Sequence, residues 1–457
     1  RASEITLDAR AVLFAVGCAV LAALLFGLAP IVHARKTDIH GALKDGSNRM
    51  TGSRARLRAR RALVIAEIAL AVVLVVGCTV MVRSFIKLQQ VKLGFDPTNV
   101  LTFGLELPVK AYPGTSADAT WRRIEERLRA LPGVEAATLI RGLPPMRSQN
   151  SNDIELVGRT QKPDEPWNVD YWQMVGTDTF RTMGARIVKG RAIDARDTAE
   201  AANVVMINEA FAKKFYPNED PIGQRVQVYD ERHEQTIIGV VADYKQGGIE
   251  KPAGTEVFLP LYQWAKWSTE NESMSTMNIM MRTQGDPRAL VPAAQRMMKE
   301  IDPTVPLYQV RTMDDIMWEA VARPRFLTFL LTCFAGLALL LAAVGIYGVM
   351  AHTVAQRTHE IGLRVALGAQ PSQVRAMVLR QAGFLVAVGI GVGLGVAVLL
   401  EVALGNALAK VFYGEHLSQP LLLAGVALTV MFAALLATWI PVRRATRVQP
   451  TVALRSE

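Results

Sequence analysis

Chemistry needs nucleophiles, acids, bases or ligands gathered at one place, and this sequence gathers few. Its six histidines are scattered; His352 and His359 would share a helix face, but a metal site takes about three or four ligands and no others lie near. Gly389, Gly391, Gly393 and Gly395 superficially match a dinucleotide-type glycine pattern, yet no strand precedes them and no soluble helix follows. Inside an apolar run, small residues four apart instead let helices approach closely. A phosphate-cradling loop reads G-x-x-x-x-G-K-[ST]; the nearest stretch, Gly41 to Asn48, has Ser47 where the lysine must stand. Glu125-Glu126 and Glu219-Asp220 read as solvated surface, and no Ser/His/Asp or Cys/His set has supporting context. The sequence therefore predicts no enzyme: no catalytic residue, no cofactor, no metal ligand and no nucleotide site of its own.

Two features remain. Glu67 lies alone inside an otherwise uncharged apolar run, where an unpaired carboxylate costs roughly 2.5–3.5 kcal/mol at the centre of a membrane. It would snorkel to the surface or pair with Arg61, six residues away; a proton or substrate relay is the alternative. The second feature is His359–Gln381, a charged amphipathic stretch between two long uncharged ones. The helix before it is expected to run through Gln356 and Arg357. Gly368 suits a helix stop, and Pro371 suits the first turn of the next helix. Val374, Met377, Val378 and Gln381 then form one helical stripe, with Arg375 and Arg380 off it. Such an elbow either lies at the lipid headgroups or offers a contact surface whose motion passes into the flanking helices.

The elements around the elbow are membrane spans. Ala11–Val32, Phe326–Ala351, Ala382–Leu400 and Pro420–Val442 carry no charge, and Ala62–Val82 carries only Glu67. Each is long enough to cross roughly 30 Å of hydrocarbon, which predicts five spans. The first is not a signal peptide, because its upstream flank is electrically neutral and the basic residues follow it. The chain begins with Arg1, as a processed product or a piece of something longer would. All three cysteines, Cys18, Cys78 and Cys333, fall inside spans, so residues 83–325 must fold without disulfides.

The net charge of +10 would suit nucleic acid, but its placement argues otherwise. Residues 33–61, 352–381 and 443–457 together hold 17 basic and 4 acidic residues, whereas residues 83–325 hold 31 and 32. Excess positive charge confined to short loops beside spans marks the cytoplasmic side. The elbow and the C-terminal tail are thus expected inside, residues 83–325 outside, and no nucleic acid is a partner.

An internal repeat relates the ends of the first and last spans. Pro30, Ala34, Ala42, Leu43 and Lys44 correspond to Pro441, Ala445, Ala453, Leu454 and Arg455 at a constant offset of 411. In both places a span ends in proline and a basic segment follows. The outer region reads as mixed α/β. Strands are expected at Val100–Leu107, Val134–Ile140, Met277–Met281 and Val305–Val310, with helices at Ser116–Leu131 and Pro287–Ile301. Together they suggest a split α/β, porter-like subdomain. Between its halves, about 150–270, lies an inserted strand-rich lobe with strands at Val204–Ile207, Thr236–Val241 and Glu256–Leu259 and a helix at Asn208–Phe215. The fold class expected is an α-helical transmembrane protein with a large α+β extracytoplasmic domain.

Ala355-Gln-Arg357-Thr-His359-Glu360-Ile-Gly362-Leu-Arg364-Val-Ala-Leu-Gly368-Ala369 resembles the R-x-x-E-I-G-x-R-x-A-L-G-A signature of MacB/FtsX-type ABC transporter permeases. Asn208-Glu-Ala-Phe-Ala212 and Asp220-Pro-Ile-Gly223 resemble that family's extracytoplasmic core, and the order span, large outer domain, three spans is its layout. The resemblance runs from about residue 60 to the C-terminus. His359 stands where Arg or Lys is often found.

The resemblance implies a division into residues 1–50, the terminal span and tail of a preceding repeat copy; 51–82, a basic linker and span; 83–325, a MacB-like core; and 326–457, an FtsX-like three-span domain with the elbow at 352–381. It further implies a bacterial inner-membrane permease that lacks a fused ATPase. The elbow would touch a separate cytoplasmic ATP-binding subunit, with Arg357, Glu360, Gly362, Arg364, Gly368 and Ala369 as its coupling residues. Hydrolysis there would move the outer domain without substrate crossing the spans, as export or efflux requires. A periplasmic adaptor, the preceding repeat or a second permease, and the lipid bilayer are the other expected partners. The FtsX branch supplies the alternative of a membrane scaffold that activates an external enzyme such as a cell-wall hydrolase.

Overall fold

The computed structural model describes residues 9, 12–13, 16–17, 20, 49–113, 115–161, 167–228, 233–266, 275–367, 369–412 and 417–445. The first expected span, and the repeat residues Pro30–Lys44 and Ala453–Arg455, lie outside them apart from a few helical positions in the span. The described chain divides into two compact units, residues 1–75, 335–400 and 420–457 in one and 76–334 with 401–419 in the other.

Among the described residues four helices are long and apolar enough to cross a membrane. They are α1 (Arg49–Gln89), α7 (Ala322–Gln356), α9 (Pro371–Val411) and α10 (Pro420–Ala445). Their outward faces carry large apolar side chains: Leu421 is 84% exposed, Leu428 70% and Phe329 64%. A helix apolar all round needs a solvent of hydrocarbon, and acyl chains supply it. The inner faces pack on small residues. A Cβ at Gly389 would lie 2.6 Å from Ile68 Cγ2, and one at Gly393 would lie 2.6 Å from Val72 Cβ and 2.8 Å from the Ala69 carbonyl. Gly391 and Gly395 have nothing within 4 Å, so only the 389/393 pair lies against α1.

Two expectations need correction here. α10 does not end at Pro441 but runs through it to Ala445. A proline in an apolar span loses one ladder bond without ending the helix, since neighbouring groups re-satisfy the backbone. α7 stops at Gln356, and Arg357 is a turn residue.

The other unit is built on one mixed sheet. β1 (Val100–Glu106), α2 (Thr115–Arg129) and β2 (Val134–Ile140) form one strand–helix–strand half; β11 (Thr276–Thr283), α5 (Val291–Ile301) and β12 (Tyr308–Thr312) form the other. Their strands order β12-β1-β11-β2, all antiparallel, so the two halves interleave as a split βαβ subdomain. α2 and α5 pack on one sheet face because Trp121, Ile124 and Leu128, and Ala294, Met297 and Met298, recur at helical spacing and are buried in one core. β12 begins three residues later than expected. Pro306 has no N–H for a ladder, and a register shift interrupts the pairing opposite Thr102 and Gly104.

The inserted strands β3 (Asn152–Leu156), β4 (Asn168–Val169), β5 (Tyr171–Val175), β7 (Val204–Asn208), β8 (Arg225–Val228), β9 (Glu234–Val241) and β10 (Glu256–Pro260) continue the sheet as β5-β10-β7-β9-β8-β3-β4, with β6 (Ile187–Gly190) on β9. They join the split subdomain through one pair, Ile140 opposite Val175. The short helices are α3 (Thr179–Met183), α4 (Glu209–Phe215) and α6 (Met313–Ala320). Leu88 near the end of α1, Ile249 and Val321 bury one another in a small cluster at the base of this unit.

Candidate functional site

The elbow is assembled from two breaks in one helical path. After α7 the Arg357 N–H donates to the Val354 carbonyl at 3.2 Å, and the chain turns into α8 (Thr358–Ala366). α8 closes with Leu367 N–H on the Leu363 carbonyl at 3.0 Å and Ala369 N–H on the Arg364 carbonyl at 2.9 Å. Pro371 then opens α9, its fixed φ suited to a first turn that has no use for an N–H. Gln373 steadies that turn, its N–H donating to the Gln370 carbonyl at 2.9 Å and its Oε1 accepting from the Gln370 N–H at 3.3 Å.

Packing fixes which face of α8 is free. Ile361 is 1% exposed, and with Met350, Val354 and Val378 it lines a crevice of only about 10 Å³. A gap that size is about one water at most, so α8 is wedged firmly between the end of α7 and the start of α9. Gly362 is buried beside Ile361. The stripe expected along α9 is the inward one: Val374 and Val378 are buried, Met377 and Gln381 half-buried, and Arg375 and Arg380 exposed.

On the free face Glu360 sits between two arginines. Its Oε1 lies 2.7 Å from Arg364 Nη2 and its Oε2 lies 3.9 Å from Arg357 Nε. Arg364 also directs Nη1 at Met377 Sδ, 3.1 Å away. Leu363 and Leu367 are exposed alongside. The structure thus brings Arg357, Glu360 and Arg364 into one exposed charged patch, buries Gly362 on the same helix, and ties the half-buried Ala369 to the end of that helix. Gly368 lies outside the described residues. The patch is exposed to solvent and sets one carboxylate between two guanidinium groups.

Glu67 is placed differently. Its Oε2 is buried without a hydrogen-bond partner among the described residues, Arg61 included, and Arg61 Nε is likewise unsatisfied among them. The carboxylate instead faces Gly345 of α7, where any Cβ would collide with it.

In the outer unit the family-like stretches prove to be caps and turns. Asn208 Oδ1 accepts from Phe211 N–H at 3.1 Å as the cap of α4 and from Glu256 N–H at 2.8 Å, while its Nδ2 donates to Asp243 Oδ1 and the Gly254 carbonyl, both at 2.8 Å. Asp220 Oδ1 accepts from Ile222 N–H at 3.0 Å, and Gly223 follows at φ +83°, a turn glycine provides without strain. Glu125 is a further correction. It is 2% exposed, with Tyr262 Oη 2.5 Å from its Oε2 and Arg129 Nη2 2.8 Å from its Oε1. Burial pushes its carboxyl pKa up, and Arg129 and Tyr262 pull it back. The sequence reading missed a second polar group, the buried Arg147–Glu256 ion pair, to which Gln246 Nε2 adds a hydrogen bond at 3.1 Å. No local pattern announces it, because its partners lie 109 residues apart.

The outer unit, the spans and the elbow together define a membrane permease. Residues 62–301 match the MacB-like periplasmic core domain and residues 332–450 the FtsX-like permease C-terminal region. The chain belongs to the MacB/FtsX-type family of ABC transporter permeases. Among relatives, the uncharacterized ABC transporter permease YknZ of Bacillus subtilis is 23% identical over 76% of this chain and 81% of its own length. The macrolide export ATP-binding/permease protein MacB of Azoarcus is 28% identical over 59% of this chain, which spans only 40% of that protein. The periplasmic region of MacB from Actinobacillus actinomycetemcomitans is 14% identical and covers 51% of this chain and 97% of its own, with a TM-score of 0.34.

Proposed function

We propose that this chain is the non-catalytic permease of an ABC-type exporter in the bacterial inner membrane. A separate cytoplasmic ATPase docks on the elbow, and its cycle of nucleotide-driven closure moves the outer domain. Residues 83–325 act as the moving body and residues 326–457 as the three-span transducer. The observation that carries this reading is the elbow itself: a nine-residue helix wedged by Ile361 on one face and presenting Arg357, Glu360 and Arg364 on the other. A partner that pushes on the charged face tilts α8 against the ends of α7 and α9, because the crevice beneath Ile361, about 10 Å³, leaves little room for displacement. The positive excess in the loops beside the spans supports placing this face inside the cell. Relatives described as permease alone and as ATP-binding/permease support an ATPase supplied in trans and one supplied in cis, respectively.

The test is co-purification with candidate ATPases followed by ATPase rates in nanodiscs. The native chain should retain one ATPase and change its rate. Glu360→Ala with Arg364→Ala should abolish both effects, and full retention and stimulation by the double variant would overturn the assignment.

A further inference from the structure

A cavity of about 690 Å³ lies beside the elbow, within the size range of small-ligand sites. One part of its wall is basic: Arg61 from α1, Arg357 from the turn, and Arg380 from α9, joined by Gln381. The rest is apolar, with Ile65, Phe384 and Leu385. No acidic residue is among the described residues that line it, although Glu360 stands 3.9 Å from Arg357 Nε. Arg61 Nε and Gln381 Nε2 are both buried, with no hydrogen-bond partner among the described residues. Three positive charges and two unsatisfied donors on a cavity without a carboxylate call for an anion with several acceptor oxygens. Phe384 is 69% exposed, and its face asks for hydrocarbon, which a soluble anion would not supply.

We propose that this cavity binds an anionic glycerophospholipid. Its phosphate engages Arg61, Arg357 and Arg380, its headgroup oxygens accept from Arg61 Nε and Gln381 Nε2, and an acyl chain lies along Ile65, Phe384 and Leu385. Both halves of the wall are then matched by one molecule that the surrounding bilayer supplies at high local concentration. Basic pockets between membrane helices recognise phosphate headgroups in this way. The lipid would also bridge α1 and α9 where the elbow begins, so the rigidity of the elbow would depend on membrane composition. The inference rests on the membrane location of these helices and not on an ATPase partner.

The test is native mass spectrometry of the full chain, released from detergent micelles holding equal phosphatidylglycerol and phosphatidylcholine. The native chain should retain phosphatidylglycerol selectively. Arg61→Gln with Arg380→Gln should weaken that retention roughly 30-fold and leave phosphatidylcholine unchanged. Arg61→Lys with Arg380→Lys, which keeps the charge, should retain most of it. Arg375→Gln, which removes a positive charge from the same helix but not from the cavity wall, should behave as native. Equal retention of the two lipids by the native chain would overturn the proposal, as would undiminished phosphatidylglycerol retention in the glutamine variant. So would displacement of phosphatidylglycerol by an equal concentration of glycerol 3-phosphate, since the ligand would then be a soluble phosphate.

Discussion

The outer unit and the membrane helices use the same apolar residue types against opposite solvents. In the sheet, β7 and β10 are buried along their whole length, and Trp121 and Phe258 are sealed from water. Among the spans, large side chains such as Leu421 and Phe329 point outward, and the buried surface combines glycine, alanine and valine with a few larger side chains such as Ile68. The first unit is held by exclusion of water, a force roughly proportional to apolar area. Between spans that force is absent, because lipid is as apolar as leucine, so shape fit and small residues must replace it. Polar groups divide the same way. The outer unit tolerates Arg147 and Glu256 in its interior because each satisfies the other, while the elbow keeps its ion pair in the open.

The largest effect should come from breaking the buried pair. Glu256→Ala leaves the Arg147 guanidinium, only 5% exposed, without its countercharge, and should cost about 3–5 kcal/mol. Replacing both partners by apolar residues of similar volume should cost far less. Thermal unfolding followed by tryptophan fluorescence distinguishes the two outcomes. In contrast, Leu428→Ala on a lipid-facing surface opens no cavity and should cost about 1 kcal/mol or less. A comparable loss at both positions would mean that the outward face of α10 is covered by protein.

The glycine seam allows a finer comparison within one helix. Gly393→Ala puts a methyl 2.6 Å from Val72 Cβ and 2.8 Å from the Ala69 carbonyl, and the backbone oxygen cannot step aside. Overpacking of this kind should cost about 1–3 kcal/mol. Gly391→Ala, two residues away and facing open space, should be neutral or gain up to about 1 kcal/mol from helix propensity. Equal behaviour of the two variants in a detergent unfolding series would remove α1 from this face.

How much of this was readable beforehand follows from how far each feature reaches along the chain. Helices with local periodicity were legible: Trp121, Ile124 and Leu128 foretell α2, and β2 matches the stretch Val134–Ile140. The cap of α4 was legible in kind, since asparagine before a short apolar run is a starting signal. Glu125 was misread as surface because two adjacent glutamates look solvated. Yet it stands four residues after Trp121 and one before Glu126, and only the first of the two glutamates falls on the buried face. The Arg147–Glu256 pair was invisible for a different reason, as it joins a loop residue after β2 to a residue of β10 that lies 109 positions away. In the elbow, the exposed and buried faces of α9 were legible from the stripe at Val374, Met377, Val378 and Gln381. The break at Arg357 was not, because no glycine or proline marks it and tertiary packing of Ile361 sets the turn.

The smallest expected effect on stability is the most informative about function. The side chains of Glu360 and Arg364 are 45% and 52% exposed, so their 2.7 Å pair is screened by water and salt and contributes at most about 1 kcal/mol. Glu360→Ala should therefore leave the unfolding midpoint close to native, while Ile361→Ala should lower it, since a buried side chain beneath the same helix leaves a cavity costing about 2–5 kcal/mol. If the two faces of α8 do separate work, stimulation of a bound ATPase should fall in both variants but thermal stability in only one. A Glu360→Ala protein that unfolds as early as Ile361→Ala would show that the ion pair holds the elbow together, and the exposed face would then have no claim to be a docking surface.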